Sequence, residues 1–223
     1  MDLLSEIGTL KSRAMTLRDG EEYEDALETL EDAEQRIRAE LGEIANSPEG
    51  PGRYERSLRA QLYGILGSKG GVYRRWKRLS KSISAYDAGY EIEKSFEDSY
   101  NLTQRLVTRV MFDPQSVAGT GGIVAGVAVR DALRKAEETI RTQMESTRHD
   151  NEYAAADLLT VLLLLGDPGW RDALQQFLHR AAKSSYARDA TKLVFEEIAE
   201  QLRATGFADT PLTRDLAEVL SRF

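Results

Sequence analysis

Residues 66–89 have the sequence LGSKGGVYRRWKRLSKSISAYDAG, and the spacing of small and aromatic side chains in this stretch decides the fold. The spaced residues are Leu66, Gly70, Tyr73, Leu79, Ser82, Tyr86 and Gly89. On two antiparallel helices, this spacing places small side chains where the helices touch and large ones in the gaps. Weaker copies are Leu10, Ala14, Leu17, Tyr23, Ala26, Leu30 and Ala33, and later Trp170, Ala173 and Phe177. Recurring helical hairpins predict an all-α chain built as an α-solenoid, an architecture that usually binds partners.

Proline and glycine divide the chain of 223 residues into these hairpins. All five prolines lie between periodic segments, where helices end. We predict little or no strand, and a long helix from Ile123 to about Thr147 that follows the loop FDPQSVAGTGG (112–122) and begins within the glycine-rich segment 119–126. The prediction is one helical domain over 1–223, with four helix pairs and further C-terminal helices. The pairs span about 3–41, 54–94, 99–147 and 153–182, the C-terminal helices span 186–223, and a loop occupies 45–53.

The composition is typical of a folded domain without membrane spans or disulfide bonds. Hydrophobic residues make up 41% of the chain and charged residues 30%, which suits a folded domain. No apolar run approaches the ~20 residues that span a bilayer, so no membrane association is expected. The chain has no cysteine, which excludes a disulfide framework or a thiolate nucleophile. With no secretory signal visible after Met1, we expect a cytoplasmic protein.

Charge is distributed unevenly along the chain. The net charge of −7 argues against a general nucleic-acid binder, so no nucleic-acid partner is expected. Residues 21–34 include eight acids, whereas residues 53–81 include nine bases and one acid, Glu55. Four of these bases, Arg74, Arg75, Lys77 and Arg78, could simply solvate a helix end and complement its dipole. Alternatively, the acidic first hairpin pairs with the basic second one, within one chain or between chains of a homo-oligomer.

Two glycine-rich motifs resemble nucleotide-binding loops only superficially. In SKGGVYRR, Arg75 and Trp76 stand where a phosphate-binding loop needs Lys and Ser or Thr. In GTGGIVAGV, Val124 replaces the last glycine of a dinucleotide fingerprint, and no strand precedes it. An anion could still bind at a helix N-terminus there, but tight helix packing is favoured. We predict no catalytic residue, no cofactor and no metal ligand, and therefore no enzyme.

The spacing resembles the tetratricopeptide repeat, a helix–turn–helix unit of 34 residues. Gly70, Ser82 and Gly89 occupy the positions at which that family has small residues, and Leu66, Tyr73 and Tyr86 occupy the bulky ones. Ala14, Ala26 and Ala33 fill the small positions of the first unit. Ala173 and Phe177 match in the last unit, whereas Val161 and Arg180 do not.

A narrower group of these repeats resembles this chain in four segments: YGILGSKGGVYRRW, SISAYDAGYEIE, DSYN and, near the C-terminus, LLLLGDPGWRDAL. That group includes the central regulatory region of the apoptosis signal-regulating kinases and stand-alone bacterial relatives. The loop ANSPEGPG and the segment GTGGIVAGV depart from it. The resemblance implies a helical scaffold or sensor in a signalling or bacterial conflict assembly, and it supplies no reaction.

In repeats of this kind, the first helix of each hairpin lines an inner groove. Placed on that template, Lys11, Arg18, Arg74 and Arg75 face the groove beside Gly64, Gly67 and Gly71. Asn101, Arg105 and Arg109 follow at helical spacing as one ridge, with Thr108 beside them. The candidate binding residues are Lys11, Arg18, Lys69, Arg74, Arg75, Asn101, Arg105 and Arg109.

Guanidinium groups that converge suit carboxylate or phosphate, because each donates two parallel hydrogen bonds. One hypothesis is a non-catalytic scaffold whose basic groove binds an acidic peptide or a partner protein. A second hypothesis is a sensor of a phosphorylated or nucleotide-derived small molecule in the same groove. An enzyme is the least favoured hypothesis.

Overall fold

The structure is a computed structural model, which describes residues 2–45, 52–118, 122–183 and 185–223. The chain divides into two compact units, Met1–Phe96 and Glu97–Phe223. Within the described ranges, every regular element except one two-stranded hairpin is a helix, so the all-α prediction is confirmed. The organisation as a single domain stays a prediction.

The first unit consists of two helical hairpins in series. Its helices are α1 (Leu3–Asp19), α2 (Tyr23–Ala45), α3 (Arg53–Arg75) and α4 (Leu79–Glu93). Each helix packs against the next one along the chain. Each hairpin turns at a residue in the left-handed conformation, Glu21 (φ 62°) between α1 and α2 and Lys77 (φ 58°) between α3 and α4. That conformation ends a right-handed helix, so the chain reverses at these two points.

The core of the first unit is formed by one face of each of its first three helices. On α2, Ala26, Leu30, Ala33 and Ile37 are fully buried at steps of three and four residues. The other buried members of this cluster are Ile7, Ala14, Leu27, Leu58, Leu62, Ile65, Leu66 and Val72. Because α2 contacts both α1 and α3, this core joins the two hairpins.

Close packing at Gly70 joins α3 to α4. A Cβ atom on Gly70 would lie 2.8 Å from ring carbons of Tyr86, which is fully buried. The Ser82 hydroxyl donates a 2.8 Å hydrogen bond to the carbonyl of Gly70. Small residues at these two positions let the helix backbones approach, which is the role that the repeat spacing predicts.

The second unit has seven helices in its described part, and their bounds partly match the predicted ones. They are α5 (Tyr100–Phe112), α6 (Gln115–Ala118), α7 (Val129–Ser146), α8 (Glu152–Leu165), α9 (Trp170–Arg180), α10 (Ser185–Ala204) and α11 (Pro211–Leu220). A 3-10 turn, Ala181–Lys183, follows α9.

Helix α8 lies at the centre of the second unit. It contacts α5, α7, α9, α10 and α11, and each residue from Ala154 to Leu164 is buried. Its sequence EYAAADLLTVLLLL is apolar on nearly every side, and a helix of that kind requires neighbours all round. Asn151 caps its start by accepting a hydrogen bond from the Ala154 amide, and Gly166 (φ 68°) ends it.

The helix predicted to begin at Ile123 begins instead at Val129. Before it, β1 (Ile123–Val124) pairs antiparallel with β2 (Val127–Ala128). Ala125 and Gly126 form the turn with φ values of 47° and 76°, the backbone of a tight hairpin turn that glycine favours. Helix α6 (Gln115–Ala118) lies within segment 112–122, which the sequence predicts to be a loop. Residues 119–121 of the glycine-rich segment, and 46–51 of the loop 45–53, lie outside the described residues.

Candidate functional site

The end of α1 brings two guanidinium groups onto one carboxylate. Arg18 lies 2.8 Å and Arg75 2.6 Å from the same oxygen of Asp19, Oδ1. The Asp19 side chain is 57% exposed, whereas Arg18 and Arg75 are 19% and 23% exposed. Arg75 ends α3 and Arg18 is the last residue but one of α1, so the folded hairpins converge there. The arrangement is a carboxylate-binding pair of arginines whose ligand belongs to the same chain.

Lys69 of α3 and Lys11 of α1 both lie where the two hairpins of the first unit meet. The Lys69 ammonium group is 3.0 Å from Glu34 and 3.5 Å from Glu31 of α2. Burial raises the pKa of Glu34, but hydrogen bonds from Arg38 and Lys69 outweigh that effect, and the pKa lies below its ordinary value. The Lys11 ammonium group would be 3.2 Å from a Cβ on Gly64. Acidic and basic hairpins therefore pair within one chain, one of the two alternatives considered for this charge pattern.

Arg74 does not lie on an open surface of the first unit. Only 7% of it is exposed, and its guanidinium lies 6.0 Å from the centre of the Tyr86 ring. Gly67 and Gly71 are buried as well. Most of the α3 surface that was predicted to line an open groove is therefore covered. Lys69 and Arg75 remain partly exposed to solvent.

On α5, the predicted ridge of Asn101, Arg105 and Arg109 exists as a helix face but is turned inward. Asn101 is fully buried and Arg109 is 1% exposed. Arg109 donates hydrogen bonds to the carbonyls of Val124 and Arg105, each at 3.2 Å. Arg109 therefore holds the β1–β2 hairpin against α5. Helical spacing predicts which residues share a face, but tertiary packing decides what covers it.

The predicted structural positions of the repeats are mostly buried. In the second hairpin Leu66, Gly70, Ser82, Tyr86 and Gly89 are buried and Tyr73 is half-buried. Ala173 (4% exposed) and Phe177 (fully buried) lie on the inner side of α9. These residues hold helices together, so none of them is available to a ligand.

A polar cluster that the sequence analysis missed lies at the start of α5. The Ser99 hydroxyl donates to Asp157 of α8 at 2.5 Å and accepts a hydrogen bond from Arg148 at 2.7 Å. Arg148 also bonds Gln143 and Asn151, next to the ends of α7 and α8. The one available signal was Asp157, an acid within an otherwise apolar helix. Its partners show that it ties three helix ends together.

Also missed was a groove between α1 and α2, with a volume of about 580 Å³. Its lining residues all come from these helices and the turn between them: Leu10, Arg13, Leu17, Glu22, Asp25, Glu28, Thr29 and Asp32. The available signal was the shared helical spacing of the acids on α2 and of Leu10 and Leu17 on α1. We call it the α1–α2 groove.

No group of three or more His, Asp, Glu or Cys side chains in the described ranges could hold a metal ion. Among the helices described, none has the length and apolarity to cross a membrane.

Comparison with known proteins gives structural neighbours only. No protein-family model matches the sequence, and no curated protein matches it. A putative kinesin light chain from Podosopora anserina, with nearly identical TPR-like repeats, is 13% identical, with a TM-score of 0.42. That match covers all of this chain and 94% of the other. BtubC (BKLC) from P. vanneervenii is 14% identical, covers 98% and 88%, and has a TM-score of 0.37.

Both TM-scores lie below 0.5, so neither overlay bears on function. The molecule's own geometry defines the class: helical hairpins joined through small residues at the repeat positions, as at Gly70 and Ser82. The tetratricopeptide-like fold predicted from the sequence is confirmed. The narrower resemblance to the regulatory region of the kinases stays a prediction.

Proposed function

We propose that this chain is a non-catalytic helical-repeat scaffold that binds an acidic segment of a partner protein on the basic side of its first unit. The observation that carries the proposal is the convergence of Arg18 and Arg75 on the carboxylate of Asp19. This pair of arginines has the spacing that a carboxylate requires. The resemblance suggests a signalling or bacterial conflict assembly as the setting, in the cytoplasm.

Asp19 is an exchangeable ligand for the arginines. Its side chain is more than half exposed and lies at a turn, and an ion pair with such access to solvent contributes little to stability. An acidic side chain of a partner can therefore take its place at small cost. Lys69 lies six residues before Arg75 on α3 and supplies a further positive charge, partly neutralised by Glu34.

A small anionic ligand is the second candidate function for the same two arginines. Arg18 and Arg75 both contact a single oxygen, Asp19 Oδ1, and guanidinium groups recognise phosphate oxygens as well as carboxylates. A phosphorylated or nucleotide-derived molecule would then replace Asp19 without a protein partner.

The test uses the full chain and a fluorescein-labelled acidic peptide of glutamate and leucine. Asp19→Asn removes the internal competitor, so the affinity for the peptide is expected to rise. Arg18→Glu with Arg75→Glu is expected to abolish binding, whereas a matched double reversal on α7, Arg134→Glu with Lys135→Glu, leaves it unchanged. Equal binding by both double variants would contradict the proposal. Calorimetry with inorganic phosphate and ADP identifies the small-ligand alternative.

The ridge on α5 is not the place for this test. Arg109 is buried and bonded to two backbone carbonyls. A charge reversal there would leave a buried carboxylate facing carbonyl oxygens, which disrupts the fold rather than the binding. Arg18 and Arg75 are partly exposed and can be reversed with the core intact.

A further inference from the structure

The two walls of the α1–α2 groove differ in chemistry. Leu10 and Leu17, two helical turns apart on α1, form an apolar wall that is half-buried, with Arg13 exposed between them. Asp25, Glu28, Thr29 and Asp32 follow at steps of three and four on α2, so they share one face beside the turn residue Glu22. The groove is therefore amphipathic along its length, with acid on one side and leucine on the other.

Most of the negative charge in the groove is not neutralised by the chain itself. Asp32 pairs with Arg36 at 2.9 Å, but Glu22, Asp25 and Glu28 form no ion pair with any residue that the structure describes. This differs from Glu34 on the same helix, which bonds both Lys69 and Arg38. Three acids without an ion pair to a described residue therefore lie beside a half-buried apolar wall, and neither Arg18 nor Arg75 lines this groove.

We propose that the α1–α2 groove binds a cationic amphipathic helix of a partner protein. From Tyr23 to Asp32, α2 rises about 14 Å, which matches about two and a half turns of a bound helix. Leucine or isoleucine side chains of that helix contact Leu10 and Leu17, and its lysine or arginine side chains pair with Glu22, Asp25 and Glu28. This is the helix-in-groove mode of recognition, with anchors at positions i, i+3, i+4 and i+7.

A partner protein fits the charge of this groove better than a second copy of this chain does. Each copy carries a net charge of −7, so two copies repel each other as they approach. A cationic segment is instead attracted from a distance, and its charge complements the three free acids. The groove does not include Arg18 or Arg75, so its binding can be tested independently of the proposed function.

The experiment measures binding of the full chain to a fluorescein-labelled peptide of 14 residues, with lysine and leucine at amphipathic helical spacing. Fluorescence anisotropy is recorded at low salt and at 0.15 M salt for two variants of equal charge. One carries Glu22→Gln, Asp25→Asn and Glu28→Gln in the groove. The other carries Asp131→Asn, Glu138→Gln and Glu145→Gln on the exposed side of α7.

We expect the groove variant to bind the peptide about tenfold more weakly than the native chain, since three solvent-exposed pairs are lost. The α7 variant is expected to stay within about twofold, because distant exposed charges are screened. A peptide with serine in place of leucine should lose affinity for the native chain, which shows that the leucine wall takes part.

Three results would overturn the proposal. Equal weakening by both variants would mean that net charge alone attracts the peptide. Full affinity in the groove variant would place the peptide elsewhere. Sedimentation velocity that shows self-association of the native chain, lost in the groove variant, would assign the groove to a second copy.

Discussion

The two units bury their helices in different ways. In the first, each helix packs against its neighbour in sequence, and α2 lies between α1 and α3. In the second, α8 is enclosed by five other helices, and residues Ala154 to Leu164 are buried on every side. Serial stacking leaves one face of each helix open to solvent, whereas central packing leaves the middle helix none. Both proposed binding surfaces, the Arg18–Arg75 pair and the α1–α2 groove, lie in the first unit.

The charged groups described above also differ in exposure between the two units. In the first unit, Lys69 and Arg75 reach carboxylates of the neighbouring hairpin at positions with access to solvent. In the second, Arg109 is 1% exposed and bonds backbone carbonyls, and Asp157 is 7% exposed and bonds Ser99. A pair with access to solvent can exchange partners, whereas a buried group that loses its partner costs several kcal/mol. Lys69 and Arg75 of the first unit therefore suit recognition, whereas Arg109 and Asp157 of the second unit fix the fold.

The strongest test of this difference is Leu159→Ala in the fully buried middle of α8. We expect a loss of about 2–5 kcal/mol in the free energy of unfolding, because a cavity is left at the point where the second unit is densest. Urea denaturation measures the loss. Hydrogen exchange should show reduced protection in α5, α7, α9, α10 and α11 together.

Leu30→Ala on α2 is the matched variant in the first unit, since Leu30 is also fully buried. Its loss of protection should extend to α1 and α3, which contact α2, and be smaller in α4. Uniform loss across all helices of that unit would contradict the serial organisation.

Close approach at the repeat positions is tested by Gly70→Ala. The added Cβ would meet the ring of Tyr86 at 2.8 Å, so we expect a loss of about 1–3 kcal/mol from overpacking. Gly8→Ala on α1 is the control, because nothing lies within 4 Å of its added Cβ. That control should gain up to about 1 kcal/mol from helix propensity. Thermal unfolding of both variants measures the contrast, and a stabilised Gly70→Ala would refute the packing role of this glycine.

The smallest expected effect belongs to Lys69→Met, which removes the partner of Glu34 between the two hairpins. Both side chains are about one-sixth exposed, at 14% and 16%. The expected loss at neutral pH is about 1–2 kcal/mol, between the values for exposed and buried pairs. Denaturation curves of the variant and the native chain give the difference.

The pH dependence of that difference provides the control. The pKa of Glu34 lies below its ordinary value in the folded chain, so the unfolded chain takes up its proton first as the pH falls. The stabilisation is complete above the ordinary glutamate pKa of about 4.3 and is lost as the pH falls through the lower folded pKa. The native chain and Lys69→Met should therefore converge in acid. A gap that stays constant with pH would exclude Glu34 as the cause.

Residue spacing along the chain was enough to predict most of the helices and the small contact positions. Ala26 and Ala33 are buried at the predicted steps, and Gly70 and Ser82 lie where α3 meets α4. Local periodicity carries this information, since burial of one helix face requires a repeat of three and four residues. The prediction of a helix from Ile123 was wrong. Gly126 adopts a positive φ in a tight turn, and that conformation does not continue a right-handed helix.

Only part of the candidate site could be predicted from the sequence. Spacing shows that Asn101, Arg105 and Arg109 share a face of α5, but it cannot show that this face packs inward. Likewise, the acids of α2 suggest a solvated face until the structure places Leu10 and Leu17 beside them. Which faces meet depends on contacts between residues far apart in the chain, and no local pattern records them.

The sequence by itself determined the all-α class, the helical hairpins and the charge contrast between the first two of them. Each of these follows from residue type and spacing within about forty residues of chain. Only the tertiary structure decided which charges are neutralised, which are buried and which remain free. Whether a charge is neutralised, buried or free depends on its distance from other charges and from solvent. Long-range packing of the helices sets both distances.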